Sequence, residues 1–413
     1  MIPAGNAGKP MQQTLDGAMR RNLFLLACCQ AIGQAGNTMM FAATALSVVT
    51  FFPDRELATL PITLQHLGVM LSVFPAGLLM QRMGRGFGFR LGSVMGMTGA
   101  SIVGLGLYTG IFLLMCLGGL ILGYAVASLQ MYRFAAVELA PPAYRARAIS
   151  WVTAGGVVAG IIGPSLVRIT HDQVMPLYLA TYGAMVGIHL TVFTIMSFIR
   201  FPSMAPPPAV AGAAAIAPPR PLREIAAQPR FIVAVASAMA AFGMMSFLMS
   251  ASPLAIVACG LPHTEAHWVI FLHVMGMFVP AFFTGNLITR FGTTNVMVAG
   301  ILVMGGGIAA GLMGETEWHF RIALTLNGFG WNFLFVGATT LVTTCYRPNE
   351  RGKTQALNDF LVFGTTASAS FLAGFLHERQ GWYPLNWYAF GLLAVAILAV
   401  GWLRLQRAEP VPA

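Results

Sequence analysis

Charge is what this chain has least of. Asp, Glu, Lys and Arg make up 9% of its 413 residues, against roughly 25% in an ordinary soluble domain. Acidic residues are scarcest, 13 in all, and they form no cluster. That excludes the oxygen-rich sites that Mg²⁺ and Ca²⁺ prefer. The five cysteines include the adjacent pair Cys28 and Cys29 and supply no disulfide framework. No glycine-rich phosphate loop, Ser/His/Asp arrangement or metal-hydrolase motif occurs, which removes ATP-driven pumping and catalysis from the reading. The chain reads as a non-enzyme with no permanently bound cofactor. The first 18 residues are polar and glycine-rich, unlike a cleavable signal peptide.

What is abundant is apolar surface, 57% of residues. Runs near the roughly 20 residues needed to cross a bilayer recur along the whole length. Twelve are expected, at about 22–51, 57–80, 89–109, 111–134, 148–169, 175–199, 229–257, 265–288, 294–313, 321–344, 355–376 and 385–405. An all-α integral membrane protein follows. The net charge of +10 raises the possibility of nucleic acid, but its placement answers it. With the N-terminus cytoplasmic, all of the 23 Lys/Arg except Arg55, Arg168, Arg321 and Arg379 fall on the cytoplasmic side. Such an excess orients membrane proteins, so both termini are expected inside and no nucleic-acid face is expected.

One composition shift interrupts the chain. Residues 200–228 are rich in Pro and Ala with basic ends, a cytoplasmic linker. It separates an N-terminal six-helix bundle, 1–199, from a C-terminal one, 229–413. The halves echo each other. Gly77-Leu-Leu-Met-Gln-Arg-Met-Gly-Arg85 recurs as Gly285-Asn-Leu-Ile-Thr-Arg-Phe-Gly-Thr293 at an offset of 208, and Tyr144-Arg-Ala-Arg147 as Glu350-Arg-Gly-Lys353 at 206. Nearly constant offsets mark a duplicated unit.

With these motifs in hand, the chain resembles the major facilitator superfamily over its whole length. Gly77, Leu79, Arg82, Gly84 and Arg85 match that superfamily's loop signature GxLxDRxGR, with Gln81 in place of the acidic residue. Gly155-Gly-Val-Val-Ala-Gly-Ile-Ile-Gly-Pro164 is similar to its glycine-rich motif in the fifth helix. The resemblance implies two pseudo-symmetric six-helix bundles rocking around a site near the bilayer midplane.

Two histidine–methionine pairs point to a cargo. His66-Leu-Gly-Val-Met70 and His273-Val-Met-Gly-Met277 lie in spans 2 and 8 at an offset of 207. Residues four apart share a helix face, and imidazole with thioether suits Cu(I). Met245 and Met249, on span 7, overlap His273 and Met277 in depth if the two helix faces meet. A third pair, His171 and Met175, falls in an outer loop, and Cys259, His263 and His267 could capture metal at the outer mouth. MxxxM followed by HxxxM resembles the signature of the CcoA-type copper importers. That resemblance implies Met245, Met249, His273 and Met277 as copper-handling residues and import for haem-copper oxidase assembly. His66 and Met70 would face them across the cavity. The expected cargo is a copper ion, Cu(I), transported as substrate with none bound permanently, and carried by a monomer in the bacterial inner membrane by alternating access.

The same branch contains members linked to riboflavin uptake, so an organic substrate or a metal-chelate is the alternative. For it, Gln34 and Asn37 (on one face of span 1 with Gln30), Asp359 and the aromatics Trp331 and Phe335 would matter more than the methionines. Either Asp359 or Glu138 could carry a coupling proton or anchor an inner-face salt bridge to Arg145, Arg147, Arg351 or Lys353. A non-transporting membrane sensor or assembly factor is the third class.

Overall fold

The computed structural model describes residues 16–141, 144–201 and 218–408. Most of the expected linker therefore lies outside the described residues. All regular structure among the described residues is helical. The first seven helices are α1 (Gly17–Val48), α2 (Leu60–Met83), α3 (Arg85–Thr109), α4 (Phe112–Gln130), α5 (Tyr132–Glu138), α6 (Arg145–Thr170) and α7 (Leu179–Ser197). The short α8 (Leu222–Ala226) leads into α9 (Pro229–Ala258), α10 (His263–Phe278), α11 (Ala281–Phe291), α12 (Thr293–Met313), α13 (Glu317–Thr343), α14 (Arg351–Gln380) and α15 (Trp382–Ala408).

Helices α4 and α5 form one continuous span, and α10 and α11 another. The second is interrupted at Pro280, which has no N–H to donate into the helix. Twelve spans result. Eleven are long and apolar enough to cross a membrane by length and composition, and α1 falls short of that hydropathy because Gln30, Gln34 and Asn37 interrupt its apolar run.

Packing follows the repeat. Helix α1 lies on α6 and α7, and α4 lies between α2 and α3; α9 lies on α13, α14 and α15, and α12 on α13 and α15. The two sets of helices meet along α2–α14 and α6–α10. The matched loops are also alike in backbone. Gly84 (φ 85°, ψ 157°) ends α2 and Gly292 (φ 83°, ψ 151°) ends α11, each in a conformation strained for a side chain. Helices approach closely where side chains are small. At Gly68, a Cβ would overlap the Leu120 carbonyl oxygen of α4. The motif glycines of α6 act at the seam, because a Cβ on Gly160 would come 2.5 Å from Met275 Cε and 2.7 Å from Val274 Cγ1 of α10.

One end of the spans carries Arg82, Arg85, Arg290, Arg347 and Arg351 and is called the basic end; the opposite end is the far end. The chain entering α8 is fastened at the basic end. Glu350, fully buried, accepts from Arg220 Nη2 at 2.7 Å and Nε at 2.9 Å, and from the backbone N–H groups of Arg220 and Arg347 at 2.8 and 2.9 Å. Lys353 donates to the Arg220 carbonyl. Arg220, first among these partners, holds the Glu350 carboxyl well below the usual carboxylate range.

Two predictions follow from this packing. Gly68→Val should lower the thermal stability of detergent-solubilised protein, by about 1–3 kcal/mol as for an overpacked core. Gly183→Ala on α7, with nothing within 4 Å of its Cβ position, should leave it unchanged. A folded-state pKa below the unfolded value gives stability that is complete above the carboxylate range and is lost as pH falls through it. Melting temperatures measured from pH 7 downward should therefore drop more steeply in the wild type than in Glu350→Gln. Parallel curves would count against the Glu350 anchor.

Candidate functional site

A cavity of about 530 Å³ opens at the basic end between the two sets of helices. Its walls come from α2, α4 and α5 on one side and from α9, α13 and α14 on the other. Counting 1.5 Å per residue from Pro229, Phe242 lies about 20 Å from the basic end, which brings the cavity close to mid-membrane.

The deep wall is aromatic. Phe242, Phe335 and Phe363 all line it, with Phe242 edge-on to Phe335 at 4.9 Å and to Phe363 at 5.8 Å. Trp331 stacks on Phe335 at 5.0 Å and 19°, one helical turn away on α13. Its Nε1 is buried without a hydrogen-bond partner. Edge-to-face and offset contacts of this kind fix ring planes. The wall thus presents rigid π-surface to whatever enters.

Polar groups gather nearer the mouth. Arg133 on α5 and Asp359 on α14 face the same cavity, with Gln130, Gln355 and Asn358 beside them. Asn358 Nδ2 donates to Asp359 Oδ1 at 2.9 Å. Arg133 Nε is buried and unpartnered. The guanidinium groups of Arg133 and Arg351 lie 4.9 and 5.0 Å from the Phe134 ring centroid, so a contact between the two sets of helices runs through that ring. Arg85 makes a two-pronged pair with Glu138, at 2.7 and 3.2 Å. This partner was not among those expected for Glu138, which were Arg145, Arg147, Arg351 and Lys353; the side chains of Arg145 and Arg147 lie outside the described residues. The α2–α3 loop begins α3 beside the end of α5, whereas Arg351 turns onto Phe134.

The far end is closed. Arg379 Nε donates to Glu56 Oε1 at 2.8 Å, and Tyr178 Oη lies 3.1 Å from His263 Nδ1. His171 and His267 meet with ring centroids 5.7 Å apart, and Thr59 fills the space above Gly374. Each contact joins the first set of helices to the second. Cys259, expected to join His263 and His267 at a capture site, places its Sγ 3.5 Å from Glu315 Oε2. Among the described residues, no group of three His, Cys, Asp or Glu side chains could hold a metal ion.

Of the sequence-predicted site residues, Asp359 and Phe335 line the cavity and Trp331 backs it. The six His/Met residues lie elsewhere. His273 is fully buried with Nδ1 2.7 Å from the Leu324 carbonyl, and Gly328 leaves room for its backbone. The histidine face of α10 therefore meets α13; overlap with Met245 and Met249 required that it meet span 7. Those two methionines and Met277 are buried in the apolar core. His66 packs on Phe41 of α1, and Met70 Sδ lies 3.2 Å from a Cβ position on Gly364 of α14. Met70 thus fills the α2–α14 seam rather than facing His273 across a cavity. Asn37 accepts from Gln65 at 3.2 Å and lines a separate void of about 20 Å³; half-buried Gln34 lines neither space.

Sequence reasoning missed Arg133, Phe242 and Phe363. Arg133 carried a usable signal, since it falls inside the expected span 111–134 and a charge there marks a functional site by default. The two phenylalanines carried none, being two among 29.

Comparison with known proteins agrees with this fold. The family model of the Major Facilitator Superfamily matches residues 234–413. The chain is 38% identical over 382 residues to the riboflavin transporter RfnT of Brucella anthropi, covering 92% of this chain and 95% of that protein. It is 28% identical over 397 residues to the uncharacterized MFS-type transporter YdeG of Bacillus subtilis, covering 93% and 92%. Among solved structures, FucP in its outward conformation superposes with a TM-score of 0.64 at 17% identity, covering 95% of this chain and 100% of that one. An outward-facing bacterial homologue of the iron transporter ferroportin also gives 0.64, at 14% identity, covering 92% and 97%.

The far-end contacts yield a prediction. The Arg379–Glu56 pair is partly exposed, and such pairs contribute little. Arg379→Gln should raise thiol labelling of a cysteine placed at buried Ser47, in a Cys259→Ser background, by no more than about five-fold. A larger rise would make this pair the principal closure.

Proposed function

The chain belongs to the major facilitator superfamily, and from that premise we propose that it is a secondary transporter of a flat aromatic heterocycle of the flavin type. The observation that carries the reading is the aromatic wall of Phe242, Phe335 and Phe363, stiffened by Trp331, at the depth where such a ring would come to rest. A cavity of about 530 Å³ lies within the range of roughly 300–1,000 Å³ usual for small-molecule sites. The riboflavin transporter relative at 38% identity supports the same cargo.

In this reading the basic end is cytoplasmic, following the distribution of Lys and Arg, and the conformation is inward-open. Cargo would enter from outside once the far-end contacts part, and would be released past Arg351 and Arg85. The protein would work as a monomer in a bacterial cytoplasmic membrane, with residues 200–228 joining two bundles, 1–199 and 229–413, that rock by alternating access.

Copper import is the second reading. The observation favouring it is the buried, unpartnered Nε2 of His273, whose Nδ1 is committed to Leu324. A lone pair so placed can accept a soft ion. Against it, none of His66, Met70, Met245, Met249, His273 and Met277 lines the cavity.

One experiment separates the two. Uptake of riboflavin and of ascorbate-reduced copper is measured in cells expressing the wild type, Phe335→Ala, Met245→Leu or His273→Ala, with membrane insertion checked by immunoblot. The flavin reading expects saturable riboflavin uptake whose KM rises about ten-fold or more in Phe335→Ala, from loss of a base-sized stacking partner. Met245→Leu should behave as the wild type. Copper uptake abolished by His273→Ala, with no riboflavin uptake, would replace this reading with the second.

A further inference from the structure

Arg133 and Asp359 are placed unusually for opposite charges in an apolar protein. They sit on opposite walls of one cavity, attract each other electrostatically, and yet form no ion pair within 4.0 Å among the described residues. Arg133 has a buried Nε with no acceptor among the described residues, and its guanidinium lies over the Phe134 ring. Asp359 uses one oxygen for Asn358 and has no hydrogen bond to Oδ2 among the described residues. A guanidinium offers donors in a fixed planar fork, and a carboxylate only accepts. Both face the cavity with hydrogen-bonding capacity that the protein does not use, so the gap between them suits a guest that supplies what each lacks.

The required edge has a definite pattern. Arg133 needs acceptors, Asp359 needs a donor, and the same guest must present a flat face to Phe335 and Phe363. The pyrimidinedione edge of a flavin has this pattern, with the C2 and C4 carbonyls as acceptors flanking the N3–H donor. We propose that Arg133 and Asp359 read this acceptor–donor–acceptor edge, Arg133 donating to a ring carbonyl and Asp359 accepting from N3–H. The two walls belong to α5 and α14, in different halves of the chain. One bound ring would then bridge both halves, and its edge would decide which heterocycles are carried. This inference rests on the flavin reading above and sharpens it to the part of the ring that is recognised.

The test is riboflavin counterflow into vesicles reconstituted with the full-length protein, with unlabelled competitors. Lumichrome, which keeps the edge and lacks the ribityl chain, should compete. 3-Methylriboflavin, which blocks N3–H, should compete about 10- to 100-fold more weakly than riboflavin, the range expected for losing a hydrogen bond to a charged group. Arg133→Gln and Asp359→Ala should each raise the riboflavin KM by a similar factor, and Asp359→Ala should erase the preference for riboflavin over its 3-methyl analogue. Equal competition by 3-methylriboflavin at the wild type would overturn the inference without relying on any variant. An unchanged KM in a well-inserted Arg133→Gln would overturn it as well. These results are distinguishable from failure of the underlying reading, in which the wild type shows no riboflavin counterflow and both proposals fall.

Discussion

Hydrocarbon offers no hydrogen-bond partner, and the arrangement of this protein follows from that constraint. Helices satisfy their own backbone, and many hydroxyls return their hydrogen to a carbonyl one turn back, as Thr109 does to Leu105 and Thr191 to Gly187. Charges withdraw to the ends of the spans or into the cavity. The pairs Arg220–Glu350, Arg321–Glu265 and Arg379–Glu56 lie at the ends. Arg133 and Asp359 face the cavity from its two walls, near the mouth. These two charges thus lie where a solute could use them.

The same constraint shapes how the halves meet. Without a hydrophobic drive between helices in lipid, close approach depends on small residues. Gly156 lies against Phe278 and Gly160 against Val274 and Met275 along the α6–α10 seam, while Gly364 admits Met70 along α2–α14. With these seams, and the ion pair and aromatic contacts at the far end, the cavity opens at the basic end. A wall of aromatic rings closes that opening from above. Separation of the far-end contacts would expose the same wall from the other side.

The fold was legible in the sequence because its signals are long-range and redundant. Twelve apolar runs became twelve spans, and the loop repeat at offset 208 became two glycines of nearly identical backbone geometry, Gly84 and Gly292. Spacing alone was a poorer guide to the site. Four-residue spacing puts His273 and Met277 on one helix face, but it does not say which neighbour that face meets, and here it is α13. Asn37 looked like a cavity residue until Gln65 was seen to satisfy it. Of the residues named for an organic cargo, Asp359 and Phe335 line the cavity and Trp331 backs it. Arg133 was hidden by its nearness to the basic end, where an arginine ordinarily signals orientation.

The central claim is that the aromatic wall receives a flavin ring. The most direct measurement is an equilibrium titration of the purified full-length protein with riboflavin, followed by flavin fluorescence. The account predicts saturable quenching as the ring stacks on Phe335 and Phe363, and its loss in a folded Phe335→Ala variant. Absence of saturable quenching, or identical curves for the wild type and Phe335→Ala, would contradict it.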